Sequence, residues 1–228
     1  MNQLIKKTND GYIFSGIGIG IIEICIYLFI SFLVRSYIKP LQDINILTYY
    51  WLTMTVLTGF WESVYIDKYN KVVNMAQEYI NEKKHTWTNE YTIDYVAPWK
   101  VSEIFYTEYA AYADREYMSK KDYWSHFIEG SHELCCGLFA LIALISKHYN
   151  NNNLYLISIS ISMGTQFMNS LLYWVNYLIQ TKDKDSVNFN SKDFPLGFAL
   201  SKRPFFWVNA VWLILPAYAI LNLILFNL

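Results

Sequence analysis

Four ionisable side chains stand at the start of an apolar stretch in the middle of the chain. His126, Glu129, His132 and Glu133 come just before the run CCGLFALIALI. Residues three and four apart share a helix face, so His126, Glu129 and Glu133 would form one polar stripe with His132 beside it. Ionisable groups within a membrane are costly and indicate function by default. The alternative is that they form the wet interfacial end of the helix, where charged side chains reach water.

A second candidate for proton chemistry, Glu62, lies near the end of another apolar run. Two carboxyl groups in a low-dielectric pocket suit proton transfer, because one can stay protonated as an acid while its neighbour acts as a base. Glu23 lies alone in the first apolar run. We interpret it as a lipid-facing or lightly paired residue outside any site.

The last apolar run adds an aromatic group and an amide. Asn209 and Trp212 are three residues apart and share a helix face. The π-face of a tryptophan can stabilise a cation in a dry site, and the asparagine can orient a hydroxyl or a catalytic side chain. The alternative is that both are packing groups, with the asparagine bridging helices as polar residues in membranes do.

A metal site is the competing chemistry. The segments EGSH (129–132) and EKKH (82–85) both match the Glu-x-x-His spacing of di-iron bundle proteins. The second lies in a lysine-rich polar stretch, and short matches arise by chance, so we predict neither a metal nor a cofactor. Cys25, Cys135 and Cys136 lie in apolar runs without metal spacing, and we predict that they are small buried hydrophobic residues.

The elements that must position these groups follow from composition. The chain of 228 residues is 54% hydrophobic and only 16% charged, whereas soluble domains carry about 25% charged residues. A membrane-crossing helix needs about 20 mostly apolar residues. Five runs reach or approach that length: Phe14–Val34, Leu47–Ile66, His126–Ser146, Leu154–Ile179 and Phe205–Phe226. The sequence therefore predicts an all-α membrane protein, a bundle of five transmembrane helices in contact with membrane lipid.

One membrane domain, residues 14–228, follows an N-terminal tail of residues 1–13. A polar, aromatic-rich stretch from Asp67 to Ser125 separates the second and third spans. Its segment Lys100–Met118 has helical composition and no helix breaker, which predicts a helix near the membrane surface. The net charge of −1 gives no reason to expect a nucleic acid as a partner.

Three segments in this order resemble the EXPERA superfamily and, within it, the emopamil-binding proteins, which are sterol Δ8–Δ7 isomerases. They are Tyr106–Gly137, Ser162–Trp174 and Val208–Pro216. The last, VNAVWLILP, is the most specific, because it follows the family pattern Asn-x-x-Trp-Leu-x-x-Pro. The resemblance runs from the second span to the end of the chain, apart from an insertion at about residues 70–100.

Site residues follow from the resemblance. It implies that Glu129 and Glu62 are the catalytic glutamates of the third and second helices. Asn209 matches the family's pocket asparagine, and Trp212 matches the tryptophan that faces the cation. The predicted substrate-binding residues are Thr58, Tyr109, Tyr117, His132 and Glu133.

The second helix departs from the family pattern. The family has a histidine four residues before its glutamate, and Thr58 stands at that position if Glu62 is the glutamate. A register four residues later places Glu62 on the histidine and Ile66 on the glutamate, with Asp67 adjacent. In either register the histidine–glutamate pair is incomplete.

The sequence is therefore compatible with two functions. The resemblance implies a cofactor-free isomerase of the endoplasmic reticulum that protonates a ring alkene, stabilises a carbocation and removes a neighbouring proton. The alternative is a non-catalytic relative that binds sterols, other hydrophobic small molecules or cationic amphiphilic amines. Either reading is compatible with a homodimer.

Overall fold

The computed structural model describes residues 5–8, 11–118, 130–180, 186–188 and 204–227. These residues are mostly helical, which confirms the all-α prediction in its coarse form. The helices and strands follow one another as β1 (Ile5–Thr8), β2 (Gly11–Ser15), α1 (Gly16–Tyr37), α2 (Lys39–Gln42), α3 (Ile46–Asp67), α4 (Tyr69–Glu82), β3 (Glu90–Thr92), α5 (Pro98–Glu108), α6 (Gly130–His148), α7 (Asn152–Gln180) and α8 (Pro204–Asn227).

The five predicted spans fall on α1, α3, α6, α7 and α8. His126 and Glu129, predicted at the start of the third span, lie outside the described residues. Among the described residues, two helices are long and apolar enough to cross a membrane: Gly16–Tyr37 and Phe206–Leu225. Length and composition alone therefore support two candidate spans, since α3, α6 and α7 carry more polar side chains.

Helix α3 is the centre of the bundle. It packs against α6 on one side and against α5 and α8 on others, while α7 packs between α6 and α8. The side-chain oxygen of Asn45 accepts hydrogen bonds from the backbone N–H groups of Leu47 and Thr48, at 3.0 and 3.2 Å, and so caps the start of α3. Ser15 caps α1 in the same way through Gly18 N–H, at 3.2 Å. These caps fix where two of the helices that surround the site begin.

Helices α3 and α6 touch through their backbones. A Cβ atom added to Gly59 would lie 2.8 Å from the carbonyl oxygen of Glu133 and 3.0 Å from Cα of Gly137. One added to Gly137 would lie 3.0 Å from the carbonyl oxygen of Thr55. Small residues allow helix backbones to approach this closely. The crossing brings the residues that flank both glycines into direct contact.

A three-stranded antiparallel sheet joins the N-terminal segment to the insertion. Its order is β1-β2-β3, and Ile13 in β2 pairs with Thr92 in β3. This sheet was not predicted from the sequence, in which residues 1–13 form a tail. Strands of four, five and three residues are too short for an alternating pattern to stand out.

The insertion contains helix α4, which buries one face. Val72, Val73, Ala76 and Tyr79 are buried, at the spacing of a single helical stripe. The helix ends at Lys83, which adopts the left-handed conformation with φ 53°. Left-handed residues commonly end helices in this way. The chain then turns back towards the start of α1, where Gly16 N–H donates to the carbonyl oxygen of Asn89.

The predicted helix over Lys100–Met118 is shorter in the structure. Helix α5 ends at Glu108, a π-helical turn covers Tyr109–Ala113, and Asp114 is extended. The Asp114 carboxylate accepts hydrogen bonds from the hydroxyl of Tyr173 and from Nδ2 of Asn188, the latter at 2.9 Å. Tertiary partners of one buried aspartate therefore break a segment whose composition is helical throughout.

Substituting the crossing glycines should destabilise the bundle. Because overpacking costs about 1–3 kcal/mol, we expect Gly59→Ala and Gly137→Ala each to lower the free energy of unfolding by about that amount. Gly164→Ala in α7 is the control, since no atom lies within 4 Å of a Cβ added there. Thermal unfolding in detergent micelles measures the effect. Equal melting temperatures for all three variants would contradict the close crossing.

Candidate functional site

A cavity of about 300 Å³ lies between α1, α3, α5, α6, α7 and α8. Small-molecule sites begin at about this size. Eight of the nine predicted site residues line it: Thr58, Glu62, Tyr109, Tyr117, His132, Glu133, Asn209 and Trp212. The ninth, Glu129, lies outside the described residues. The fold thus gathers side chains from three predicted spans around one space.

Glu133 accepts hydrogen bonds from three neighbouring helices. It is 3% exposed. Its Oε1 accepts hydrogen bonds from Thr58 Oγ1 at 2.6 Å, from Gln166 Nε2 at 2.9 Å and from Trp212 Nε1 at 3.3 Å. Gln166 Nε2 also donates to Oε2, at 3.0 Å. Helices α3, α7 and α8 therefore all bind one carboxylate of α6.

Thr58 can support either protonation state of Glu133. Its Oγ1 lies 2.6 Å from the carboxylate and 3.0 Å from the backbone carbonyl oxygen of Met54. A hydroxyl has one hydrogen and two acceptor positions. It can donate to an ionised Glu133, or donate to Met54 and accept from a protonated Glu133. Proton movement at this carboxyl group therefore requires no side chain to move.

Glu62 is buried with one carboxyl oxygen unused. It is 4% exposed. The hydroxyl of Tyr106 donates to Oε1 at 2.6 Å, whereas Oε2 has no hydrogen-bond partner among the described residues. Burial, and then the neighbouring Glu62 carboxylate, raises the pKa of the Tyr106 phenol well above its usual value, so Tyr106 remains a donor. Since an unpaired buried acceptor is costly, Oε2 is the natural contact point for a ligand or a proton.

Gln166 organises the polar interior, although the sequence did not predict it as a site residue. Its Oε1 accepts a hydrogen bond from Trp51 Nε1 at 2.8 Å, which turns its NH₂ group towards Glu133. The ring of Trp51 packs edge-on against Trp212, with centroids 5.0 Å apart. The sequence contains a signal that could have identified Gln166, because it is a polar residue in the middle of a predicted span.

Asn209 and His132 have polar neighbours of their own in the cavity. Nδ2 of Asn209 lies 3.5 Å from the hydroxyl of Tyr109. Nε2 of His132 lies 2.9 Å from Nδ2 of Asn169 and 3.9 Å from Oε2 of Glu133. His132 therefore stands beside Glu133, on the same side of the cavity. Glu133, the described member of the polar stripe predicted for the third span, thus faces the cavity, and His132 beside the stripe does so too.

The two ends of the EKKH segment contact different partners. Glu82 forms an ion pair with Lys84, while Nδ1 of His85 lies 2.8 Å from Oε1 of Glu108. Within the described part of the chain, no group of three His, Cys, Asp or Glu residues could hold a metal ion.

Two expectations concern residues outside the cavity. Glu23 is buried and lightly paired rather than lipid-facing, since its Oε1 accepts a hydrogen bond from Trp61 Nε1 at 3.2 Å. The second of its two alternatives is therefore confirmed, and Glu23 does not line the cavity. Cys25 and Cys135 are exposed, and Cys136 alone is buried as predicted. The outer surface of this bundle is apolar, so an apolar run does not imply burial.

Comparison of the chain with protein-family models, with curated proteins and with solved structures finds no match. The function must therefore be argued from the geometry of the cavity.

Removing the Gln166 amide should destabilise the protein. We expect Gln166→Leu to lower the free energy of unfolding by about 1–3 kcal/mol, because Trp51 and Glu133 both lose a buried partner. Gln77→Leu is the matched control, since Gln77 donates to Asn81 on an exposed face of α4. Thermal unfolding of both variants in the same detergent measures the difference. Equal stability of the two variants would contradict the buried network.

Proposed function

We propose that α1, α3, α6, α7 and α8 all cross a membrane. The argument for α6 and α7 is their outward faces, because a water-soluble protein rarely exposes large contiguous apolar patches. Exposed large apolar residues run along both helices: Leu138, Leu141, Ile142 and Ile145 in α6, and Leu154, Ile157, Ile161, Met168, Leu171, Leu172, Val175, Leu178 and Ile179 in α7. Polar residues such as Ser162, Gln166 and Ser170 are buried instead.

Aromatic residues support two membrane interfaces. Trp207 at the start of α8 and Trp87 beside the start of α1 are exposed. Tyr37 at the end of α1 and Tyr149 after the end of α6 are exposed at the opposite side of the bundle. Tryptophan and tyrosine are enriched where membrane helices meet the headgroups. The sheet, α4 and α5 then lie on the side where α1 begins.

The five-span arrangement determines on which side of the membrane three loops lie. We expect a membrane-impermeant maleimide to label Lys39→Cys and Asn151→Cys from one side of sealed vesicles and Lys84→Cys from the other. Unmodified protein and detergent-permeabilised vesicles are the controls. Labelling of Lys84→Cys and Asn151→Cys from the same side would contradict this topology.

Within this bundle we propose a sterol isomerase-like activity that moves a ring double bond from Δ8 to Δ7. The observation that supports it is the meeting of two buried carboxyl groups, Glu62 and Glu133, with the indole of Trp212 in one apolar cavity. A dry cavity with fixed charges stabilises charge that develops during a reaction. The endoplasmic reticulum is the membrane that this substrate implies.

The reaction needs one proton in and one proton out. A carboxylic acid adds a proton to one alkene carbon and leaves a tertiary carbocation on the other. The π-face of Trp212 and the remaining carboxylate stabilise this cation. A base then removes a proton from the adjacent carbon, and the electron pair of that C–H bond forms the new double bond. Glu62, with its unused oxygen, is assigned to the exchange with the ligand, and the predicted catalytic role of Glu129 stays a prediction.

A second candidate is ligand binding without turnover. Thr58 stands where the resemblance implies a histidine, and its hydroxyl is bonded to Glu133 and to the backbone. In that case the two carboxylates and Trp212 would hold a sterol or a cationic amphiphilic amine. This candidate shares the cavity and differs only in the absence of product.

Glu62 should be essential for conversion. We expect Glu62→Gln to lower the rate of Δ8-to-Δ7 conversion by about 10²–10⁴-fold, the usual contribution of a general acid or base. The assay uses membranes from cells that lack their own isomerase. Glu23→Gln is the matched control, because Glu23 is equally buried and lies outside the cavity. Sterol binding by the unmodified protein without product would reject the enzyme and leave the binding candidate.

A further inference from the structure

A loop of the insertion reaches the cavity. Residues Lys83–Asn89 connect the end of α4 to β3. Two of them, Thr86 and Trp87, line the cavity together with the membrane helices. Thr86 is fully buried, whereas Trp87 is 41% exposed. Trp87 therefore stands between the interior of the cavity and its surroundings.

The loop is fixed to α5 by one buried carboxylate. Oε2 of Glu108 accepts a hydrogen bond from the backbone N–H of Thr86 at 2.7 Å, and Oε1 lies 2.8 Å from Nδ1 of His85. The hydroxyl of Thr86 donates to the backbone carbonyl of Ile104 at 2.8 Å. Ile104 itself lines the cavity. The position of the loop is thus set by the helix that forms the adjoining wall.

The loop is also in contact with the start of α1. A Cβ atom added to Gly16 would lie 2.1 Å from the carbonyl oxygen of Thr86. The backbone N–H of Gly16 donates to the carbonyl oxygen of Asn89 at 3.2 Å. No side chain fits between α1 and the loop. Where α1 begins, the backbone of the helix and the backbone of the loop are therefore in direct contact and close the cavity.

The cavity wall next to the loop leaves room for a ligand. Gly20 lies one turn after Gly16 on the same face of α1, and no atom lies within 4 Å of a Cβ added there. Gly20, Ile24 and Ile104 also line the cavity. The carboxyl groups that line it, Glu62 and Glu133, belong to α3 and α6. The loop and α1 therefore offer a mostly apolar surface to a ligand.

We propose that the loop Lys83–Asn89 is the end wall of the ligand site and that Trp87 is the residue that limits ligand length. This rests on the proposed function, since it takes the ligand to be an elongated apolar molecule such as a sterol. The ligand's apolar end contacts Trp87 and Thr86. A ligand longer than the distance from the carboxyl groups to the loop would collide with the indole of Trp87.

Two series of sterols test the wall in both binding directions. One series has side chains lengthened by one carbon at a time, and the other has 3-O-alkyl ethers of increasing length. Each sterol competes with a photoreactive sterol for the protein in membranes. One methylene group too many in a closed pocket changes selectivity by about 10–200-fold. We expect the unmodified protein to reject one series beyond a certain length.

Replacing the Trp87 indole should allow the protein to bind the shortest sterol that the unmodified protein rejects. We expect Trp87→Ala to raise its affinity by about tenfold or more, and Trp87→Leu to give a smaller gain in the same direction. Trp99→Ala is the matched control, because Trp99 is an exposed tryptophan of the same layer that does not line the cavity. Melting temperatures confirm that all three variants are folded.

The outcomes separate this inference from the proposed function. The inference is wrong if the unmodified protein binds sterols but shows no length limit. It is also wrong if Trp87→Ala keeps the length preference of Trp99→Ala. Both results hold whether or not the protein converts the sterol. If the unmodified protein binds no member of either series, the sterol function itself is overturned, and the inference falls with it.

Discussion

The crossing of α3 and α6 is the contact on which the site depends. At Gly59 and Gly137 the two helices meet without intervening side chains, and the carbonyl oxygen of Glu133 lies at that contact. Because the backbones are this close, Thr58 on one helix and Glu133 on the other come within 2.6 Å. A larger side chain at the crossing would separate the helices and the pair together.

Burying polar groups in a low-dielectric interior is costly unless they are hydrogen-bonded, and here several of them bond to one another. Glu133, Gln166, Thr58 and Trp51 form a network in which donors and acceptors match. The exception in the cavity is Oε2 of Glu62. Burying an acceptor without a partner costs free energy. This open position faces the cavity, and the proposal of proton transfer or ligand binding starts from it.

The sheet, α4 and α5 form a layer that holds one part of the cavity wall in place. Its sheet ties the N-terminal segment to residues 90–92, and Glu108 ties the loop to α5. The layer therefore does more than cover the helix ends, since it supplies part of the cavity surface through Thr86 and Trp87. The cavity is therefore lined by both the long helices and this layer.

Hydrophobic runs in the sequence determined where the main helices lie, because long apolar segments form helices that satisfy their own backbone hydrogen bonds. Residue types and spacing identified five residues of the cavity, namely Glu62, His132, Glu133, Asn209 and Trp212, and the family resemblance added Thr58, Tyr109 and Tyr117. The sequence could not show that Glu133 is the bonded carboxylate, that Gln166 holds it, or that residues 83–89 reach the site. Each of these depends on contacts between residues far apart in the chain, which only helix crossing and loop docking determine. The sheet and the break at Asp114 were decided by tertiary partners for the same reason, since local composition favoured neither.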